Sequence, residues 1–358
     1  PRTVALFSDP ISPDVYELPS GALATWRRFA QHKPALVLFS RHPLLDPLDE
    51  TTRADLAAFA RSASTEELVR RGKALTADPL FTSPQTVSLA IEAGLIAELI
   101  VVQPTTKELE HFSLDDYRRR AFAAGFLSET EALALTLKDG VISGTMRGLP
   151  LRVVHPDTLP EIAHPVLVHV DLGYFMDLYV NDVKTPLYNL LQQTASAIRA
   201  AGWRTLAATL SYSNEEADFA LNLRFLIRNL ATLMEQPDLL AGSTPPAWKM
   251  RADSRYARAL FAEDKADELT TLAAESDPND PDAQYDLAYQ QFVRQNSDTA
   301  FALLDRAVAL DPGYALAYID LGETAVAQNR LDRAGELFAK AAAVYPANPF
   351  ITIAQADL

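Results

Sequence analysis

The chain has 358 residues, enough for two domains, and its 48% hydrophobic and 22% charged residues mark it as globular and not disordered. A formal net charge of -15, from 47 acidic against 32 basic residues with no Lys/Arg block, argues against binding driven by nucleic-acid phosphates or anionic membrane surfaces. Cysteine is absent, which removes disulfides, thiolate nucleophiles and Cys-ligated metals.

Short apolar, β-branched runs predict strands at 35–40, 99–103, 151–155, 166–170 and 205–210. Helical patterns cover 51–71, 86–98 and 113–126. The longest apolar stretch, 89–102, is interrupted by Glu92 and Glu98 and falls short of the ~20 apolar residues that span a bilayer, so no transmembrane segment is expected. Asp139-Gly140 marks the turn of a hairpin over 135–144. A helix over 185–201 has Pro186 at its start and Gly202 just past its end, as helix capping favours. Strand 166–172, helix 186–200 and strand 204–211 then make a βαβ unit. Continuous apolar strands point to a mostly parallel sheet covered by helices on both faces, a three-layer α/β domain over 1–242. The run Ala241-Gly242-Ser243-Thr244-Pro245-Pro246 reads as a linker.

Beyond the linker the sequence repeats. Asp277-Pro278 recurs as Asp311-Pro312, and Pro312 as Pro346, each 34 residues on. The same offset joins Leu287 to Leu321, Ala300 to Ala334, Leu304 to Phe338 and Ala307 to Ala341. Small residues let paired helices approach, large ones fill the layer between them, and proline ends the second helix of each pair. This pattern resembles the tetratricopeptide repeat (TPR) and implies an all-α solenoid over 243–358. Its repeats fall at about 247–278, 281–312 and 315–346, with a terminal cap helix over 347–358. The first repeat is degraded, with Asp253 and Ser254 where a large and a small apolar residue belong. Such arrays bind a partner polypeptide along the face made by the first helix of each repeat. By position that face carries Tyr285, Asp286, Tyr289, Phe292, Ile319, Asp320 and Glu323. Carboxylates and aromatics there imply a basic or apolar partner. The alternative is that the acids form a solvated helix face and the tyrosines pack between repeats.

In the first domain, ligands are expected where strands end. Ser40-Arg41-His42 follows the first strand, His169-Val170-Asp171 ends the fourth, and Ser213-Asn214-Glu215 follows the fifth. The order of these segments resembles the arginase/deacetylase-like metallohydrolases, whose strands end in Asp-x-His-x-Asp and Asp-x-Asp. Here Ser40 and Leu44 replace two of the expected aspartates, His42 keeps its place, and Gly173 stands for a third. A two-metal cluster would lack its carboxylates. A single divalent transition metal on His42, His169 and Asp171 is the reduced form the resemblance allows, with Asp46 or Glu215 as a further ligand or base. Alternatively, His42 and His169 are satisfied, partly buried histidines, and Asp171 caps a loop or helix. No phosphate-binding loop, G-x-G-x-x-G, H-E-x-x-H or G-x-S-x-G is present.

The expected function is a protein-interaction adaptor or scaffold with a catalytically degenerate α/β domain. The rival is a metal-dependent hydrolase of C–N bonds acting on a substrate recruited by the repeats. Missing cysteine tilts the expected setting toward the cell envelope, periplasm or exterior. Ala/Leu/Arg-rich usage with only eight lysines suggests a bacterial source.

Overall fold

The five predicted strands become five adjacent parallel strands of one sheet. The structure, a computed structural model, describes residues 2–104, 113–216 and 219–358. Its strands are β1 (Asp14–Tyr16), β2 (Ala35–Phe39), β3 (Glu98–Val102), β4 (Thr136–Lys138), β5 (Val141–Met146), β6 (Leu149–Val154), β7 (Val166–Asp171) and β8 (Thr205–Ser211). They lie in the order β1-β8-β7-β2-β3-β6-β5-β4. All neighbours are parallel except the antiparallel pairs β4/β5 and β5/β6. The Asp139-Gly140 turn is present, with both residues at positive φ, as a two-residue hairpin of this hand demands. Arg147 and Gly148 repeat that conformation between β5 and β6, a turn not predicted above.

The helices of this part are α1 (Ala22–Trp26), α2 (Arg53–Ser62), α3 (Thr65–Arg71), α4 (Thr86–Glu92), α5 (Leu114–Ala123), α6 (Glu129–Ala134), α7 (Leu172–Leu178) and α8 (Leu187–Ala201), followed by α9 (Arg224–Glu235) and α10 (Asp238–Ala241). The helix expected over 51–71 is two. Ser64 caps the second, its hydroxyl accepting from the Glu67 amide at 3.1 Å. Successive strand residues point to opposite faces. Leu36 and Leu38 of β2 join a core with Trp26, Leu56, Ala60 and Leu89. Phe39 points the other way, its ring 5.3 Å from and edge-on to Tyr174 of α7. Helices therefore meet both faces of the sheet.

The C-terminal part is helical: α11 (Pro246–Ala259), α12 (Glu263–Ser276), α13 (Pro281–Val293), α14 (Ser297–Leu310), a 3-10 turn over Pro312–Leu316, α15 (Ala317–Ala327), α16 (Leu331–Val344) and α17 (Pro349–Ala356). The pairs α11/α12, α13/α14 and α15/α16 pack closely. Ala266, Ala300 and Ala334 recur at the 34-residue period, as do Ala273, Ala307 and Ala341, and all six are buried. In the degraded repeat, Ser254 uses its polarity. Its hydroxyl lies 2.8 Å from both the Ala266 carbonyl and the Thr270 hydroxyl, so the buried oxygen is satisfied.

The chain folds as two compact units: Pro1–Ala74, Leu80–Phe219 and Leu226–Thr244 form the first, and Leu75–Pro79, Ala220–Phe225 and Pro245–Leu358 the second.

Candidate functional site

In the first unit, β2 is followed in the chain by β3 on one side of the sheet, while β7 is followed by β8 on the other. The crevice between the carboxyl ends of β2 and β7 is thus the switch point at which open α/β sheets hold ligands. Asp171 ends β7 there and is fully buried. Its Oδ1 accepts from the Tyr174 amide at 3.1 Å, which makes it the cap of α7. Its Oδ2 has no hydrogen-bond partner among the described residues. Burial pushes this carboxyl up to about 7, against the opposing pull of the Ser40 hydroxyl, backbone amides and the Arg41 guanidinium. Arg41 is held by Asp177 at 2.7 Å. Gly173 lets it lie close, since a Cβ there would come within 3.1 Å of Arg41 Cγ.

His42 accepts from the Leu44 amide at Nδ1, 2.8 Å away, so its neutral ring carries the proton on Nε2, which faces Asp46 Oδ1 at 3.3 Å. Burial lowers its pKa, and the carboxylates of Asp46 and Glu215 partly restore it. Asp46 thus contacts His42, and the charge of Glu215 reaches it. His169 does not join them. Its Nδ1 lies 2.8 Å from Thr209 Oγ1 and its Nε2 3.2 Å from Ser211 Oγ, and its ring meets the edge of Trp26 at 5.7 Å. Complete burial pushes its pKa down to about 3, so it is a neutral core histidine. The metal set His42, His169 and Asp171 is accordingly not assembled: among the described residues no three His, Asp or Glu side chains are arranged to hold a metal ion. The reason is local, because β8 supplies a hydroxyl to each ring nitrogen of His169 and leaves none for a ligand bond. On the opposite face Tyr174 lines a cleft of about 570 Å³ with Phe39, His155, Asp157, Gln193 and Thr194.

The second unit holds the other candidate. Tyr285, Tyr289, Phe292 and Asp320, four of the seven residues expected on the binding face, line one pocket of about 200 Å³. Ala288, Ala300, Leu304, Ala317 and Leu321 give it an apolar floor. Tyr289 is 61% exposed. Asp320 stands at the rim, and loss of water around it pushes its carboxyl upward. No cationic side chain pairs with it among the described residues. Asp286, Ile319 and Glu323 are not among the residues lining that pocket. Asp286 instead meets Arg251 Nε at 3.2 Å.

Beside the pocket lies a buried ionic cluster that sequence reading missed. Arg251 of α11 also binds Asp280 at 2.8 Å and lies over the Phe225 ring, 4.9 Å from its centre. Arg224 is buried and forks onto Asp311, Nε to Oδ2 at 3.1 Å and Nη2 to Oδ1 at 2.9 Å. Its guanidinium carbon sits 5.4 Å from the centre of the Tyr314 ring. Tyr314 donates its hydroxyl to Asp282 and stacks on Tyr285 at 4.6 Å. The Asp-Pro recurrence drew attention to the prolines of the repeat. Nothing in it announced a guanidinium 87 residues upstream of Asp311.

A tetratricopeptide-repeat family model matches residues 294–358. No curated protein matches the chain. Nothing in these comparisons supports the arginase-like assignment of the α/β unit.

Proposed function

We propose that this protein is an interaction adaptor in which the repeats hold a basic or apolar partner polypeptide and the α/β unit serves as a scaffold. The observation that carries this reading is the pocket joining Tyr285, Tyr289, Phe292 and Asp320, with aromatic walls and a carboxylate that pairs with no cation among the described residues. The repeat match at 294–358 supports a polypeptide as its occupant. No comparable observation favours the C–N hydrolase, since both nitrogens of His169 already face hydroxyls.

The test is an array of immobilised peptides graded from acidic to basic, probed with the full chain and with Tyr289→Ala. The exposed Tyr289 ring can be removed without opening the core. Binding should concentrate on basic and apolar peptides and fade in the variant. Binding confined to acidic peptides, or indifferent to the variant, would count against the reading.

A further inference from the structure

The second unit already contains one worked example of what its carboxylates and tyrosines hold. Residues Ala220–Phe225 fold with the repeats although 19 residues of the first unit separate them in sequence from Pro245. Within that stretch Arg224 is gripped by a carboxylate fork and a ring: Asp311 at 2.9 Å and Tyr314 at 5.4 Å. Guanidinium suits such a seat because it is planar, stays charged, and stacks on aromatic faces. Phe225, next in the chain, lies under the cations Arg251 and Arg255.

The pocket alongside has the same components without the cation. Tyr285 belongs to both places, since it stacks on Tyr314 and also lines the pocket. Asp320 provides the carboxylate, Tyr289 the exposed ring, and Leu304 and Leu321 an apolar floor for a methylene stem. At about 200 Å³ the space is smaller than the ~300–1,000 Å³ of small-molecule pockets and matches a single long side chain.

We propose that this pocket receives an arginine side chain of the partner polypeptide, its guanidinium on Asp320 and Tyr289 and its stem on Leu304 and Leu321. The proposal rests on the adaptor reading and narrows it. The partner is then a chain with an arginine beside apolar or aromatic residues, as Leu223-Arg224-Phe225 is within this protein.

Four labelled, end-blocked peptides Gly-Leu-Xaa-Phe-Gly, with Xaa as Arg, Lys, Gln or Glu, are titrated into the full chain and followed by fluorescence anisotropy. The arginine peptide should bind roughly tenfold tighter than the glutamine peptide, the scale of one charge-assisted, bidentate contact. Asp320→Asn should bring the two together, with an unchanged melting temperature. Tyr289→Ala should weaken all four. Equal binding of the arginine and glutamine peptides, a lysine peptide as tight as arginine, or no response to Asp320→Asn overturns the proposal. If Tyr289→Ala still weakens binding in those cases, the adaptor reading stands without it. If none of the four binds, the arginine seat is refuted, and the peptide array decides the adaptor reading separately.

Discussion

Asp171 caps a helix with one oxygen and leaves the other without a partner among the described residues. Burial raises its carboxyl from 3.8 to about 7. Between those values the native state keeps a proton that the unfolded chain has released, so stability from this group is full at low pH and is lost as pH rises through the window. Asparagine caps as well as aspartate and cannot ionise. Asp171→Asn should therefore unfold in urea much like the wild type at about pH 3.5, gain on it as pH rises through the window, and be more stable by about 2–4 kcal/mol near pH 8. A difference that stays constant with pH would mean the carboxyl ionises alike in both states. On the same strand burial shifts His169 the other way, downward, and so also favours its neutral form, with Thr209 and Ser211 hydroxyls at its two nitrogens. Motif spacing pairs His169 with Asp171, because i and i+2 share a strand face. It does not reveal that the neighbouring strand has placed hydroxyls beside both nitrogens.

At the level of elements, the repeat helices depend on small residues at fixed places. Ala307 is fully buried on α14, and Gly322 of α15 faces Phe338 so closely that a Cβ would come within 2.5 Å of the ring. Ala307→Leu should destabilise the chain by about 1–3 kcal/mol through overpacking, measured by thermal or urea unfolding. A melt identical to wild type would remove the packing argument for the repeat. The elements that could be read in advance are those with an unambiguous physical signature. The five central strands are apolar on both faces, so they stand out as runs. The 34-residue recurrence picks out Tyr285, Tyr289, Phe292 and Asp320, which line one pocket. Edge strand β1 has three residues and an exposed Val15, so it has no run to find. Helix α7 begins immediately after β7, and Leu172-Gly173 resembles a loop until Asp171 is seen capping it. Asp286 shares the helical face of Tyr285 and Tyr289, yet a partner on α11 turns it inward.

For the whole molecule, a net charge of -15 sets the terms of any encounter. A basic peptide is attracted before contact, and salt screens that attraction over about 8–10 Å. Its affinity should fall by severalfold between about 0.05 and 0.3 M salt, while an apolar peptide of zero charge should hardly respond. Equal salt responses would place the acidic residues outside the binding event. No helix among the described residues is long and apolar enough to cross a membrane.

The division of the chain between its two units has a consequence for anyone who would dissect it. Arg224 and Phe225 open helix α9, and their contacts are with the repeats, whereas the helix from Leu226 onward folds with the sheet. A gene fragment beginning at the 241–246 linker would encode every repeat helix and still omit a piece of their interior. Asp311 would lose the guanidinium that neutralises it, and Arg251 the ring beneath it. A C-terminal third shuffled as a cassette would carry Asp311 to its new host without Arg224.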